Sequence, residues 1–320
     1  MVYLHQKCEF EIKMSRVLIT GVTGFIGRYA ARQFSEAGWT VIGLGTRPLE
    51  NSPRQDLAIY HSLKLPSAEL PALIASWQPD VCIHCAGRAS VDLSVSDPAS
   101  DFQSGVSLTF SLLDALRNHA AHCRLLFLSS AAVYGDPEYL PVAESHLKKP
   151  ISPYGFHKLM SEQLCQEFFQ LYQLPTASVR IFSAYGPGLR RQVLWDICRK
   201  ALIHGKVQLR GTGQESRDFI HARDVAQALL LLAVSAPFTG EVYNLANGVE
   251  TTIQTLAESV LTALNLNISL EFNGERTLGS PCNWQADIGQ IKALNFNPQV
   301  PLEQGIEVFS QWCRAEIRGY

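Results

Sequence analysis

Through its first 180 residues the chain alternates short apolar runs with longer stretches of helical period. RVLIT (16–20), TVIGL (40–44), VCIHCA (81–86), RLLFLS (124–129) and TASVRIF (176–182) are apolar runs of strand length. Between them, residues 25–37, 67–77, 100–118 and 154–172 carry helix-length patterns. Strands and helices in alternation predict a Rossmann-type α/β fold, a doubly wound parallel sheet with helices on both faces. Such sheets bind ligands beyond the carboxyl ends of their strands, where the strand order reverses. This dinucleotide-binding domain is expected over residues 14–182, with residues 1–13 as an N-terminal extension preceding Met14.

Beyond residue 183 the texture changes. VQL (207–209), DFIH (218–221) and EVYNLA (241–246) are shorter runs among helical patterns near 191–204, 224–235, 252–264 and 302–317. Asp224 is the expected N-cap of one helix, and Thr251 or Thr252 of the next. Residues 183–320 therefore read as a smaller mixed α/β substrate-binding lobe, with an approximate boundary and a chain that crosses between lobes.

Composition narrows the class of function. The 320 residues are 47% hydrophobic and 18% charged with a net charge of −2, which leaves no electrostatic footprint for nucleic acid or an anionic membrane. LLLLAV (229–234) is far too short to span a bilayer. MVYLHQKCEFEIK at the start has no apolar core of a signal peptide, so a cytoplasmic protein is expected. Eight cysteines are scattered, and only Cys82 and Cys85 form a CxxC. That pair lies in an apolar run and reads as core thiols, so no metal is expected.

Three motifs carry chemistry. LITGVTGFIG sets Gly21, Gly24 and Gly27 directly after a strand and at the head of a helix. There glycine allows a tight turn and close approach of a pyrophosphate to the helix N-terminus. Phe25 and Ile26 in that turn, and Ala86 at the end of VCIHCA, complete the expected cofactor contacts. Tyr154 and Lys158, four residues apart, share a helix face, so an ammonium can lie near a phenol. A free tyrosine has a pKa of about 10, and lowering it to about 7 takes roughly 4 kcal/mol of differential stabilisation. Lys158 and a cationic nicotinamide ring would act in that direction. LFLSSAAVYG places Ser129 and Ser130 at a strand end, with Ser130 24 residues before Tyr154.

In this order the three motifs resemble the extended short-chain dehydrogenase/reductase family, in its NAD(P)-dependent epimerase/dehydratase branch acting on nucleotide sugars. The resemblance continues through RIFSAYGPG (180–188), RDFIHARDV (217–225), VYNLANG (242–248) and WQADIGQIKALNF (284–296). It implies that Ser130 and Tyr154 hydrogen-bond the reacting sugar oxygen and that Lys158 holds the nicotinamide ribose and tunes Tyr154. It puts Ser183 near the nucleotide sugar and Arg217 on the substrate diphosphate, a task suited to a guanidinium fork. It also implies a homodimer formed through the 100–118 and 154–172 helices.

Departures from the family pattern narrow the reaction. The 4,6-dehydratases of the branch place an Asp–Glu pair where this chain has Ala131 and Ala132, and alanine transfers no proton. The same alanines weaken the decarboxylase reading and remove the Cys–His route of the fucose-synthase type. What remains is reduction of a 4-keto (deoxy)sugar nucleotide, taken as the leading reading, or a UDP-glucose 4-epimerase-like reaction as its alternative. A non-catalytic nucleotide-binding protein stands third. Where VIGLGTRP ends, Gly45 takes the position at which NAD-holding relatives have an acid, and Arg47 follows. Lys64 stands where a second acid usually holds the adenine. With Arg28 just beyond the glycine turn, Arg47 favours NADP over NAD, because a guanidinium pairs with a 2′-phosphate. A solvated, uninvolved Arg47 is the plainer alternative. His157 reads as structural.

Overall fold

A computed structural model of the protein describes residues 15–47, 54–275, 279 and 281–318; the expected extension lies outside them. The strands are β1 (Arg16–Thr20), β2 (Thr40–Gly45), β3 (Ile59–Ser62), β4 (Val81–His84), β5 (Arg124–Ser130), β6 (Thr176–Ile181), β7 (Ser183–Tyr185), β8 (Val207–Leu209), β9 (Ser216–His221), β10 (Thr239–Leu245), β11 (Glu250–Thr252) and β12 (Leu270–Phe272). The helices are α1 (Phe25–Glu36), α2 (Leu70–Trp77), α3 (Val91–Ser96), α4 (Pro98–Phe102), α5 (Leu108–His119), α6 (Pro153–Tyr172), α7 (Gln192–His204), α8 (Ala222–Ser235), α9 (Ile253–Ala263), α10 (Gly289–Ala293) and α11 (Leu302–Arg318).

Seven strands form one parallel sheet in the order β10-β6-β5-β4-β1-β2-β3. The order reverses between β1 and β4, so the glycine turn after β1 and the segment after β4 flank the crevice where such sheets take ligands. Apolar runs suit these strands because both faces are covered. On one face Val17, Ile19, Val41 and Ile83 pack with Phe34 of α1 and Leu229 of α8. On the other, Leu18, Ile42, Leu125 and Phe127 meet Ile74 of α2, Leu112 of α5 and Phe168 of α6. The remaining strands make a three-stranded sheet, β11-β9-β7, and a β12-β8 pair. Leu194 of α7, Leu256 of α9 and Phe309 of α11 close a third core over them. The chain returns from this region through β10, which pairs with β6.

Several elements differ from the sequence-based expectation. The helix expected over 100–118 is broken into α4, one π-helical turn over Gln103–Ser107, and α5. The helix expected from 67 starts at Leu70. The strand expected over 81–86 stops at His84, since the Ala86 N–H donates to the Thr20 hydroxyl at 3.2 Å instead of to a sheet partner. β3, a half-polar IYHS, was not anticipated by hydrophobic pattern. Asp224 is not an N-cap. The helix begins two residues earlier, where the His221 ring accepts from the Arg223 N–H, and the Asp224 carboxylate instead accepts from the Gln299 and Val300 N–H groups. Thr252 does cap α9, accepting from the Thr255 N–H at 3.1 Å. Among the described residues no helix is long and apolar enough to cross a membrane.

Candidate active site

Ser130 ends β5, and its hydroxyl accepts from the Ala132 N–H at 3.2 Å, which fixes the side chain at the strand end. α6 begins at Ser152, whose hydroxyl accepts from the Gly155 N–H, with Pro153 in the first turn. The Tyr154 N–H, free of any intrahelical partner at this position, donates to the Ser94 hydroxyl of α3 at 3.0 Å. Gly155 then lets the helix press onto the β5 turn, since a Cβ there would stand 2.5 Å from the Ala132 carbonyl oxygen. This contact brings the Tyr154 phenol beside Ser130, whose side chain acts to lower the phenol's pKa. One turn on, Lys158 Nζ donates to the Leu128 carbonyl at 2.6 Å and lies 4.8 Å from the Phe127 ring centre and 5.8 Å from that of Tyr154.

Burial sets the charges. It raises the Tyr154 phenol, with Asp101 acting in the same direction, while the Ser130 hydrogen bond and the Arg191 charge lower it. It pushes the Lys158 ammonium down to about 8, against the carboxylate of Asp101 and the groups of Cys85 and Glu162. The protein alone thus holds a protonated phenol beside a lysine poised to titrate near neutrality, as suits an acid/base whose partner charge arrives with a ligand.

The crevice fits a dinucleotide. Gly21 has a φ of 67°, and a Cβ on it would meet the Ala86 backbone at 2.8 Å, so turn and β4 end touch backbone to backbone. α1 starts at Gly24 with no side-chain cap and no acid in its first turn, leaving its N–H groups for an anion. Phe25 and Ile26 open that helix half-buried. Behind the turn runs a directed chain that sequence reasoning missed. Ala86 N–H donates to Thr20 Oγ1, which lies 2.7 Å from His84 Nδ1; His84 Nε2 lies 3.3 Å from Thr109 Oγ1, which donates to the Gly105 carbonyl. The two hydroxyl hydrogens are thereby assigned, and the imidazole carries its proton on Nε2. Burial pushes His84 down to about 3, so it stays neutral.

At the β2 end, Arg47 is exposed and its carbonyl accepts from the Tyr60 hydroxyl. Arg28 does not join it by any hydrogen bond. Its guanidinium packs on Gly188 beyond β7, and its buried Nε has no partner. On the other side of the crevice, Ser183 is half-buried at the start of β7. Arg217 donates to the Ser216 and Cys282 carbonyls and lies 5.4 Å from the Trp284 ring centre, with burial pushing it down to about 10. Arg191, overlooked in the sequence, donates to the Ala89 carbonyl and acts on Tyr154 through its charge. Its only signal was the pair of arginines after GPGL. Cys82 is buried in β4, and Cys85 beside it is a free thiol pushed up to about 12 by burial.

The model of the NAD dependent epimerase/dehydratase family matches residues 17–246, most of the chain and all of the motifs above except those beyond β10. The chain belongs to this family. Among similar members, the putative UDP-glucose 4-epimerase of Methanocaldococcus jannaschii is 28% identical over 94% of this chain and 99% of its own length. The UDP-glucose 4-epimerase of Mycolicibacterium smegmatis is 29% identical over 91% and 96%. The solved structure of MoeE5 in complex with UDP-glucose and NAD superposes with a TM-score of 0.86 at 26% identity, covering 95% of this chain and all of that one. As an epimerase/dehydratase family member, the protein is an NAD(P)-dependent enzyme of nucleotide-sugar chemistry. The expected preference for NADP finds no support in these relatives, and Arg28 is occupied elsewhere.

Proposed function

We propose that the protein is a nucleotide-sugar 4-epimerase that uses NAD, with Ser130, Tyr154 and Lys158 as its catalytic groups. The observation that carries this reading is Ser130 set beside Tyr154 and followed by Ala131 and Ala132, both buried. Such a site moves one proton on one sugar oxygen and has no second acid to expel water. Similarity to UDP-glucose 4-epimerases along nearly the whole chain favours epimerisation over the reductive reading.

NAD supplies, when bound, a reversible two-electron acceptor for the C4 hydrogen of the sugar. Gly21, Gly24, Phe25, Ile26, Gly27 and Ala86 would hold its pyrophosphate, and Lys158 its nicotinamide ribose. Tyr154 takes the C4 hydroxyl proton as the carbonyl forms and returns it as the hydroxyl is rebuilt. Ser130 hydrogen-bonds the same oxygen and keeps the phenol aligned. Lys158 stabilises the phenolate by charge. Arg217 and Ser183 would hold the nucleotide diphosphate and sugar, with Arg47 left in solvent. Residues 14–182 carry mainly the cofactor and residues 183–320 mainly the substrate. Denaturing the purified protein and identifying the released nicotinamide tests the cofactor assignment. Stoichiometric NAD is expected; NADP(H), or an empty site that binds NADPH far more tightly than NADH, would return the reductive reading.

A further inference from the structure

Beside the catalytic pair lies a second pair that the reaction above does not use. Asp101, in α4, is 3% exposed, and its Oδ2 lies 2.6 Å from Nδ1 of His157, the residue before Lys158. A carboxylate this deeply buried is costly unless a charged or hydrogen-bonded partner offsets it. One N–H from His157 is a small return for that cost. The position of the pair suggests what else offsets it: Asp101, His157, Tyr154, Lys158 and Arg88 line one small cavity together with Gly105 of the π-helical turn that follows α4. π-helical turns of this kind recur at functional sites.

The other groups around Lys158 offer little negative charge. Cys85 and Cys165 are thiols pushed up to about 12 by burial, and His84 is neutral. Glu162, one turn along α6, is engaged by the buried Arg180 at 2.7 Å. Tyr154 is a protonated phenol in the protein alone. Near Asp101, Arg88 is paired with Asp97 at 3.1 Å, and Arg191 donates to the Ala89 carbonyl. We propose that Asp101, oriented by the His157 N–H, is a positioning residue whose negative charge keeps the buried Lys158 an ammonium, and so sets the field in which Tyr154 exchanges its proton. The inference rests on the roles given above to Tyr154 and Lys158, and its test needs no turnover, wild type and variants being compared at the same content of bound nicotinamide.

The test is a pH titration of the Lys158 side chain by NMR in protein labelled with 13C at lysine Cε, its resonance assigned by loss in Lys158→Arg. The wild-type midpoint is expected at about 8. In Asp101→Asn it falls by about one unit. Asp101→Ser, which removes the carboxylate with a smaller side chain, lowers the midpoint as well and decides the question if Asp101→Asn does not fold. An unchanged midpoint in a folded variant overturns the proposal, because a purely structural pair would lower thermal stability without moving this titration. Failure of the 4-epimerase reading would show in turnover and leave the titration as it is.

Discussion

Gly155 and Ala132 meet so closely that a single methyl group on the glycine would stand 2.5 Å from the alanine carbonyl oxygen. This contact joins the head of α6 to the end of β5 and sets Tyr154 against Ser130. Gly155→Ala must therefore push helix and strand apart. Overpacking of this kind costs about 1–3 kcal/mol, and an ångström of misplacement at a reacting centre costs on the order of a hundredfold in rate. A lower melting temperature together with a large loss of kcat is expected; wild-type turnover in Gly155→Ala would show that the contact does not position the phenol.

Behind Ser130 lies a buried polar network. Ser129 donates to Glu162 at 2.5 Å, Arg180 donates to Glu162 and Tyr134, and Tyr134 donates to Asn244 of β10. Glu162→Ala leaves Arg180, 2% exposed, without its carboxylate. Removing one member of such a pair costs about 3–5 kcal/mol, which a urea unfolding curve would read as a large drop in midpoint. A change below about 1 kcal/mol would mean that water or a neighbour takes over the carboxylate's role.

The parts of the site that are local in sequence could be read from it. The glycine turn, the Ser130 strand end and the four-residue spacing of Tyr154 and Lys158 each lie within one strand–turn or one helical turn, where periodicity speaks directly. The parts that depend on distant contacts could not. Ser94 reaches Tyr154 across 60 residues and Asp101 reaches His157 across 56. Arg28 follows the turn and so reads as a phosphate ligand, yet its direction is set by the loop at Gly188, which no local pattern reveals. Asp224 had the composition of a cap, but the backbone near Gln299 claimed it. The fold was plainer than the chemistry, since buried parallel strands announce themselves as apolar runs, whereas the half-polar edge strand β3 does not.

Lys158 is expected to give the enzyme an alkaline limit. Burial depresses its folded-state value to about 8, so the ammonium is present below that pH and lost as pH rises through it. Turnover under saturating substrate is expected to decline above pH 8, and Lys158→Met to lose that decline along with most of the rate. A kcat that stays flat to pH 10 would contradict this role for the ammonium.

The β2 end cannot simply be given back an acid. A Cβ on Gly45 would meet Thr23 at 2.9 Å and the Tyr60 hydroxyl at 3.0 Å. Gly45→Asp alone is expected to weaken NAD binding in a fluorescence titration, and Gly45→Asp with Thr23→Ala to recover part of it. Tighter NAD binding by the single variant would show that the side chains there yield freely.

Helices α5 and α6 leave Phe110, Phe156, Met160, Leu171 and Tyr172 exposed, an apolar surface that suits a second copy of the chain. Light scattering is expected to give twice the 35.4 kDa chain mass, and Phe110→Glu with Leu171→Glu to halve it. A monomer at micromolar concentration would remove the dimer from the account.

The most direct test follows the C4 centre itself. Purified protein is incubated with UDP-glucose and, separately, with other UDP-hexoses, and 1H NMR detects the C4 epimer in wild type and in Tyr154→Phe. Conversion to an equilibrium mixture by the wild type without net consumption of nicotinamide is predicted, with a rate at least about a hundredfold lower in Tyr154→Phe. No epimer from any of these substrates, together with NADPH-dependent reduction of a 4-keto sugar nucleotide, would contradict it.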